Sequence, residues 1–89
     1  MNYQTILNAK ASQFKLVNTH ELKEGDVILH MGMVVVVGEK QISTAHKDKG
    51  YGECQYHKSQ VVATAPSVGN MTSWNVQGNK LAMWGKWIG

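Results

Sequence analysis

The chain holds a single cysteine, Cys54, a single proline, Pro66, and no arginine. One cysteine excludes a disulfide within the chain, so stability has to come from packing, as a reducing cytosol permits. Without arginine, all nine fixed positive charges are lysines, and a mobile ammonium lacks the planar fork that reads guanine or clamps phosphate. The net charge of +3 therefore supports nonspecific contact with polyanions at most. Long apolar runs are also missing: the strongest, Met33 to Val37, is far too short to span a bilayer. The opening MNYQTILNAKASQ has no basic start leading into an apolar stretch, which is not the pattern of a secretory signal. Together these features predict a soluble, cytoplasmic protein.

What is present is enough for one core. A chain of 89 residues, 43% of them hydrophobic and 17% charged, is apolar enough to pack and too weakly charged to be disordered. A single domain over residues 1–89 is expected. Within residues 1–13, Tyr3, Ile6 and Leu7 lie near one side of a helix together with Phe14 just beyond, which predicts a short N-terminal helix or a docked arm. Residues 14–89 read as β structure. Leu16 and Val17 form a short strand, THELKEGD a helical turn ending at Gly25, Asp26 to His30 an extended segment, and Met31-Gly32 a bend. The run MVVVVGEKQIST from Met33 to Thr44 has four consecutive valines, so neither of its faces is polar, and such a strand belongs in the middle of a sheet. Gly38 marks a bend in it. AHKDKGYG is a loop tip, and ECQYHKSQVVAT returns as the second arm of a long hairpin, which Pro66 ends.

The segment WNVQGNKLAMWGKW holds all three tryptophans. Gly-Asn between two short runs is a two-residue hairpin signal. With Gly78 and Asn79 as the turn, Trp74, Val76, Leu81 and Met83 share an apolar face, joined by Trp87. Asn75, Gln77, Lys80 and Trp84 then share the opposite face. An indole among amides and an ammonium suits an interface; alternatively Trp84 packs beneath the N-terminal arm against Ile6 or Leu7. Short strands joined by tight turns predict a mainly β fold, a small SH3-like barrel of five or six strands with a short N-terminal helix.

Two stretches, ELKEGDVILHMGMVVVVGE at residues 21–39 and WNVQGNKLAMW at 74–84, resemble small tailed-bacteriophage proteins of unassigned activity. Those proteins follow the patterns EL-x-x-GDVI-x-x-HGM and W-x-VQGN-x-LA-x-W. Met31 here separates His30 from Gly32 where the pattern has His-Gly. The resemblance covers about a third of the chain. It implies a phage origin and hence the host cytoplasm as the site of action, and it carries over no catalytic residue.

His46, Cys54 and His57 offer three potential zinc ligands or a thiol with a base, but Cys-x-x-His on a strand points its side chains to opposite faces, and no nucleophile or paired-cysteine motif surrounds them. No metal or other cofactor is expected. Glu21, Glu24 and Asp26 fall in one turn, where they solvate and cap a bend. The loop HKDKGYGECQYHK interleaves Lys47, Lys49 and Lys58 with Tyr51 and Tyr56, which suits either a solvated hairpin tip or a nucleic-acid contact made by lysine and stacking rings. The sequence thus predicts a noncatalytic, nonenzymatic accessory protein that binds a host or phage protein, for example as an inhibitor of a host system, through Asn75, Gln77, Lys80 and Trp84. A small nucleic-acid-binding barrel is the alternative, and a metal- or thiol-dependent protein centred on Cys54 the second alternative.

Overall fold

The computed structural model describes residues 2–43 and 54–89. Among the described residues seven antiparallel strands form one sheet: β1 (Phe14–Asn18), β2 (Val27–His30), β3 (Met33–Val36), β4 (Lys40–Ser43), β5 (Cys54–Thr64), β6 (Ser73–Gly78) and β7 (Met83–Trp87). Their order is β1-β7-β2-β3-β5-β4, with β6 on β5. The valine strand β3 does lie centrally, between β2 and β5. β3 and β4 together run along β5 as the long hairpin predicted from residue 33 to 64.

The sheet is open, so the expected closed barrel of five or six strands gives way to a curled sheet of seven. Its curvature is visible in the core. Val17 on β1 and Val76 on β6 come from strands far apart in the sheet order, yet both belong to one buried cluster with Leu22, Ile28, Met33, Val35, Val37 and Trp84. Alternate residues face the other way. Val34 and Ala63 meet Ile6 there, with Tyr3, Leu7, Phe14, Val27, Leu29 and Trp87 around them. A sheet buried on both faces explains why four valines in a row are needed at its centre.

The N-terminal segment covers that outer face as two 3₁₀ helices, Tyr3–Asn8 and Ala11–Gln13. Its apolar side is the one expected, Tyr3, Ile6 and Leu7, closing on Phe14. A β-bulge bends β5 where it meets β3: Val34 opposes Ala63 but Val35 opposes Val61, which leaves Val62 as the extra residue.

The predicted hairpin over Gly78-Asn79 does not form. β6 pairs with β5, whereas β7 inserts between β1 and β2. The reason is local. The Asn79 carboxamide oxygen accepts from the Leu81 amide (2.8 Å) and the Asn79 carbonyl from the Ala82 amide (3.3 Å), so the chain turns over Asn79–Ala82 and leaves β6 behind. The face assignment changes with it. Trp74 and Val76 face the inner core as predicted, but Leu81 is 86% exposed and Met83 52% exposed. Trp87 lies on the outer face, its ring edge-on to Phe14 at 5.4 Å.

Candidate functional site

Trp84, assigned from the sequence to the exposed recognition face, is 8% exposed and part of the inner core. Opposite it on β1 stands Val17, and its indole N–H donates to the Thr19 hydroxyl at 2.8 Å. It does not lie under the N-terminal arm either, because Ile6 and Leu7 belong to the other face. Trp84 thus leaves the predicted surface, and Lys80 stays exposed in the turn after β6.

Asn75 and Gln77 keep the predicted exposure, on the outer face of β6. Their cross-strand neighbours on β5 are Lys58 opposite Asn75 and Tyr56 opposite Gln77. Tyr56 in turn opposes Gln41 on β4, and its hydroxyl donates to the Gln41 side-chain oxygen at 2.6 Å. Directly opposed residues share a face. Two surfaces that the sequence treats as separate, the amide face and the lysine-tyrosine segment, therefore merge into one on the β4–β5–β6 arm. The N-terminal helix covers β5 farther along, near Ala63. Lys47, Lys49, Tyr51 and His46 lie outside the described residues.

The inner side of β5, with Thr19 packed against it, is polar but sealed. Thr19, Gln55, His57 and Ser59 are buried. His57 Nδ1 lies 2.8 Å from the Gly38 carbonyl, which can only accept, so Nδ1 carries the proton. Its Nε2 then accepts from the Gln55 side-chain amide at 2.9 Å, and that Gln55 amide nitrogen also donates to the Thr19 carbonyl at 3.0 Å. The Ser59 hydroxyl accepts from the Gly38 amide and donates to the His57 carbonyl, each at 3.0 Å. This network explains Gly38: a Cβ there would run into the Lys58 carbonyl oxygen, and the close approach lets its backbone bond both His57 and Ser59.

With both ring nitrogens engaged, His57 has no lone pair left for a metal ion or a thiol. The parity that buries His57 turns Cys54 to the opposite face of β5. Among the described residues no three histidine, cysteine, aspartate or glutamate side chains gather as metal ligands.

A further cluster has no counterpart in the sequence reading. His30 sits between Trp74 and Trp84, ring centroids 5.8 and 4.9 Å away. Burial among these groups holds its imidazole below the ordinary value near 6.5. Asp26, just before β2, pairs instead with Lys86 at 3.6 Å. Strand parity at β2 could have placed His30 on the side of Ile28; its neighbours could not be found without the pairing of β2 with β7.

No family model, curated protein or solved structure matches this chain.

Proposed function

We propose that this protein is a noncatalytic binding protein that grips another protein through the outer face of its β4–β5–β6 arm. The observation that carries this reading is the gathering of Tyr56, Lys58, Asn75 and Gln77 on one exposed sheet face. A tyrosine ring flanked by amides and one ammonium supplies rigid apolar area with hydrogen bonds at its rim, the composition of a protein interface. The resemblance of residues 21–39 and 74–84 to tailed-phage proteins supports a host or phage protein, met in the host cytoplasm, as the partner. On this reading the fold is an SH3-like barrel left unclosed, whose extended arm presents the face.

A second reading, single-stranded nucleic acid, draws on the same Tyr56 and Lys58, because a ring and a lysine can stack on a base and track a phosphate. The net charge of +3 and the absence of arginine weigh against it as the main role. A tagged pull-down from phage-infected host cells, with and without nuclease, separates the two. A protein partner that persists after nuclease treatment is the expected result. Recovery that disappears with nuclease overturns the protein reading in favour of nucleic acid.

A further inference from the structure

Among the described residues β6 pairs with β5 alone, so one row of its backbone groups has no strand beside it. The ladder tells which residues supply that row. Opposed residues in an antiparallel pair alternate between exchanging two hydrogen bonds and exchanging none. The Val61 amide donates to the Thr72 carbonyl at 3.0 Å, and this pair continues the register in which Gln60 opposes Ser73 and Ser59 opposes Trp74. Bonds toward β5 thus fall on Thr72, Trp74, Val76 and Gly78. Ser73, Asn75 and Gln77 turn their amides and carbonyls to the free edge.

Edges are normally defended by charge, proline, a bulge or shortness. The other outer strands follow that rule: β1 carries Lys15, and β4 carries Lys40 and has only four residues. β6 has six residues, SWNVQG, with no charge and no proline, and its register on β5 is unbroken.

We propose that β6 pairs antiparallel with β6 of a second copy of this chain about a two-fold axis through Asn75. Asn75 then opposes Asn75, Trp74 opposes Val76, and Ser73 opposes Gln77. This axis makes the outward-facing residues the bonded pairs, about six hydrogen bonds, whereas an axis through Val76 yields about four. It leaves Val76, already fully buried in its own chain, undisturbed and brings the exposed amides and hydroxyls of Ser73, Asn75 and Gln77 together on the outer face. Charge also favours a like partner. The nearest described lysine on a neighbouring strand, Lys58 opposite Asn75, would sit three strand spacings from its counterpart. At ~14 Å this exceeds the screening length of about 8–10 Å in physiological salt. A charged partner strand, by contrast, meets no counter-charge on β6. The two arms become one continuous sheet that presents two copies of the Tyr56–Lys58 face side by side.

Sedimentation velocity of the purified protein from micromolar to millimolar concentration tests this. The expected result is a monomer–dimer equilibrium that Asn75→Lys shifts at least about tenfold toward monomer, because two ammonium groups would then be directly opposed. Asn75→Pro should remove the dimer while keeping the melting temperature, since the lost amide points away from β5. In a Cys54→Ser background, Asn75→Cys should crosslink to itself on mild oxidation: opposed bonded residues lie ~5.5 Å apart at Cα, within disulfide reach. A monomer at every concentration overturns the proposal. So does a dimer that survives Asn75→Lys, or one that Leu16→Lys on the β1 edge dissolves instead.

Discussion

At the residue scale, the tryptophans part company with their sequence neighbours. Trp84 fills the inner core and satisfies its N–H on Thr19, 65 positions away in the chain. Trp84→Ala should therefore cost about 3–5 kcal/mol, the range for large aromatic truncations in cores. Leu81→Ala, at a side chain 86% exposed, should change stability by no more than about 0.5 kcal/mol. Urea melts of the two variants measure both, and similar losses would contradict the turn over Asn79–Ala82. His30 gives a pH signature. Its imidazole is held below the ordinary value by burial beside Trp74 and Trp84, so the unfolded chain takes up the proton first. The contribution is fully present above the unfolded value near 6.5 and is lost as pH falls through the lower folded value. Melts between pH 7 and about pH 5 should show stability dropping on acidification, with a shallower drop in His30→Phe.

At the element scale, the β2–β3 hairpin carries a strain that can be relieved. His30 opposes Met33, leaving Met31 and Gly32 as a two-residue loop with φ of 49° and 79°. Two positive φ values define a type I′ turn, which favours Asn-Gly and penalises at the first position a side chain such as methionine that has a Cβ and no local hydrogen bond to offset it. Met31 is 76% exposed, so little packing is lost on replacement. Met31→Asn should stabilise the protein by about 1 kcal/mol, seen as a higher denaturation midpoint at unchanged slope. A lower midpoint would show that Met31 makes a contact its exposure conceals.

The same scale shows what was legible in the sequence. The bend at Met31-Gly32, the central valine strand, the turn at Gly25 and the apolar side of the N-terminal segment follow from local rules of turn chemistry and periodicity, and the structure contains them. The Gly78-Asn79 hairpin does not survive, because local signals name strands and turns without naming partners. β7 finds Val17, Leu29 and Ile28 at the far end of the chain, and the Asn79 side chain rebuilds the turn. A turn placed at Gly78-Asn79 moves Trp84 from core to surface and puts Leu81 and Met83 inside, the reverse of what the structure contains. The candidate face was half legible for the same reason. Asn75 and Gln77 point outward under either pairing, but their companions Tyr56, Lys58 and Gln41 arrive only because β6 lies on β5.

At the scale of the whole molecule, the curled sheet buries its inner face with residues from both ends and its outer face under the N-terminal helices. The outer face of the β4–β5–β6 arm stays outside that cover, with Lys58, Asn75 and Gln77 exposed. A second exposed surface competes with it: on β1 and β7, Leu16, which opposes Gly85, is 70% exposed and Met83 52% exposed. The two are separable by mutation, because Tyr56 and Lys58 lie outside the core clusters. Tyr56→Ala with Lys58→Glu should leave the fold in place. The most direct measurement is therefore a pull-down from phage-infected host cells, after nuclease treatment, with this double variant beside the unmodified protein and a Leu16→Ser, Met83→Ser variant, all at matched melting temperature. The account predicts that the partner is lost from the Tyr56–Lys58 variant and retained by the Leu16–Met83 variant. Retention by the first with loss from the second would contradict it and move the binding face to β1 and β7.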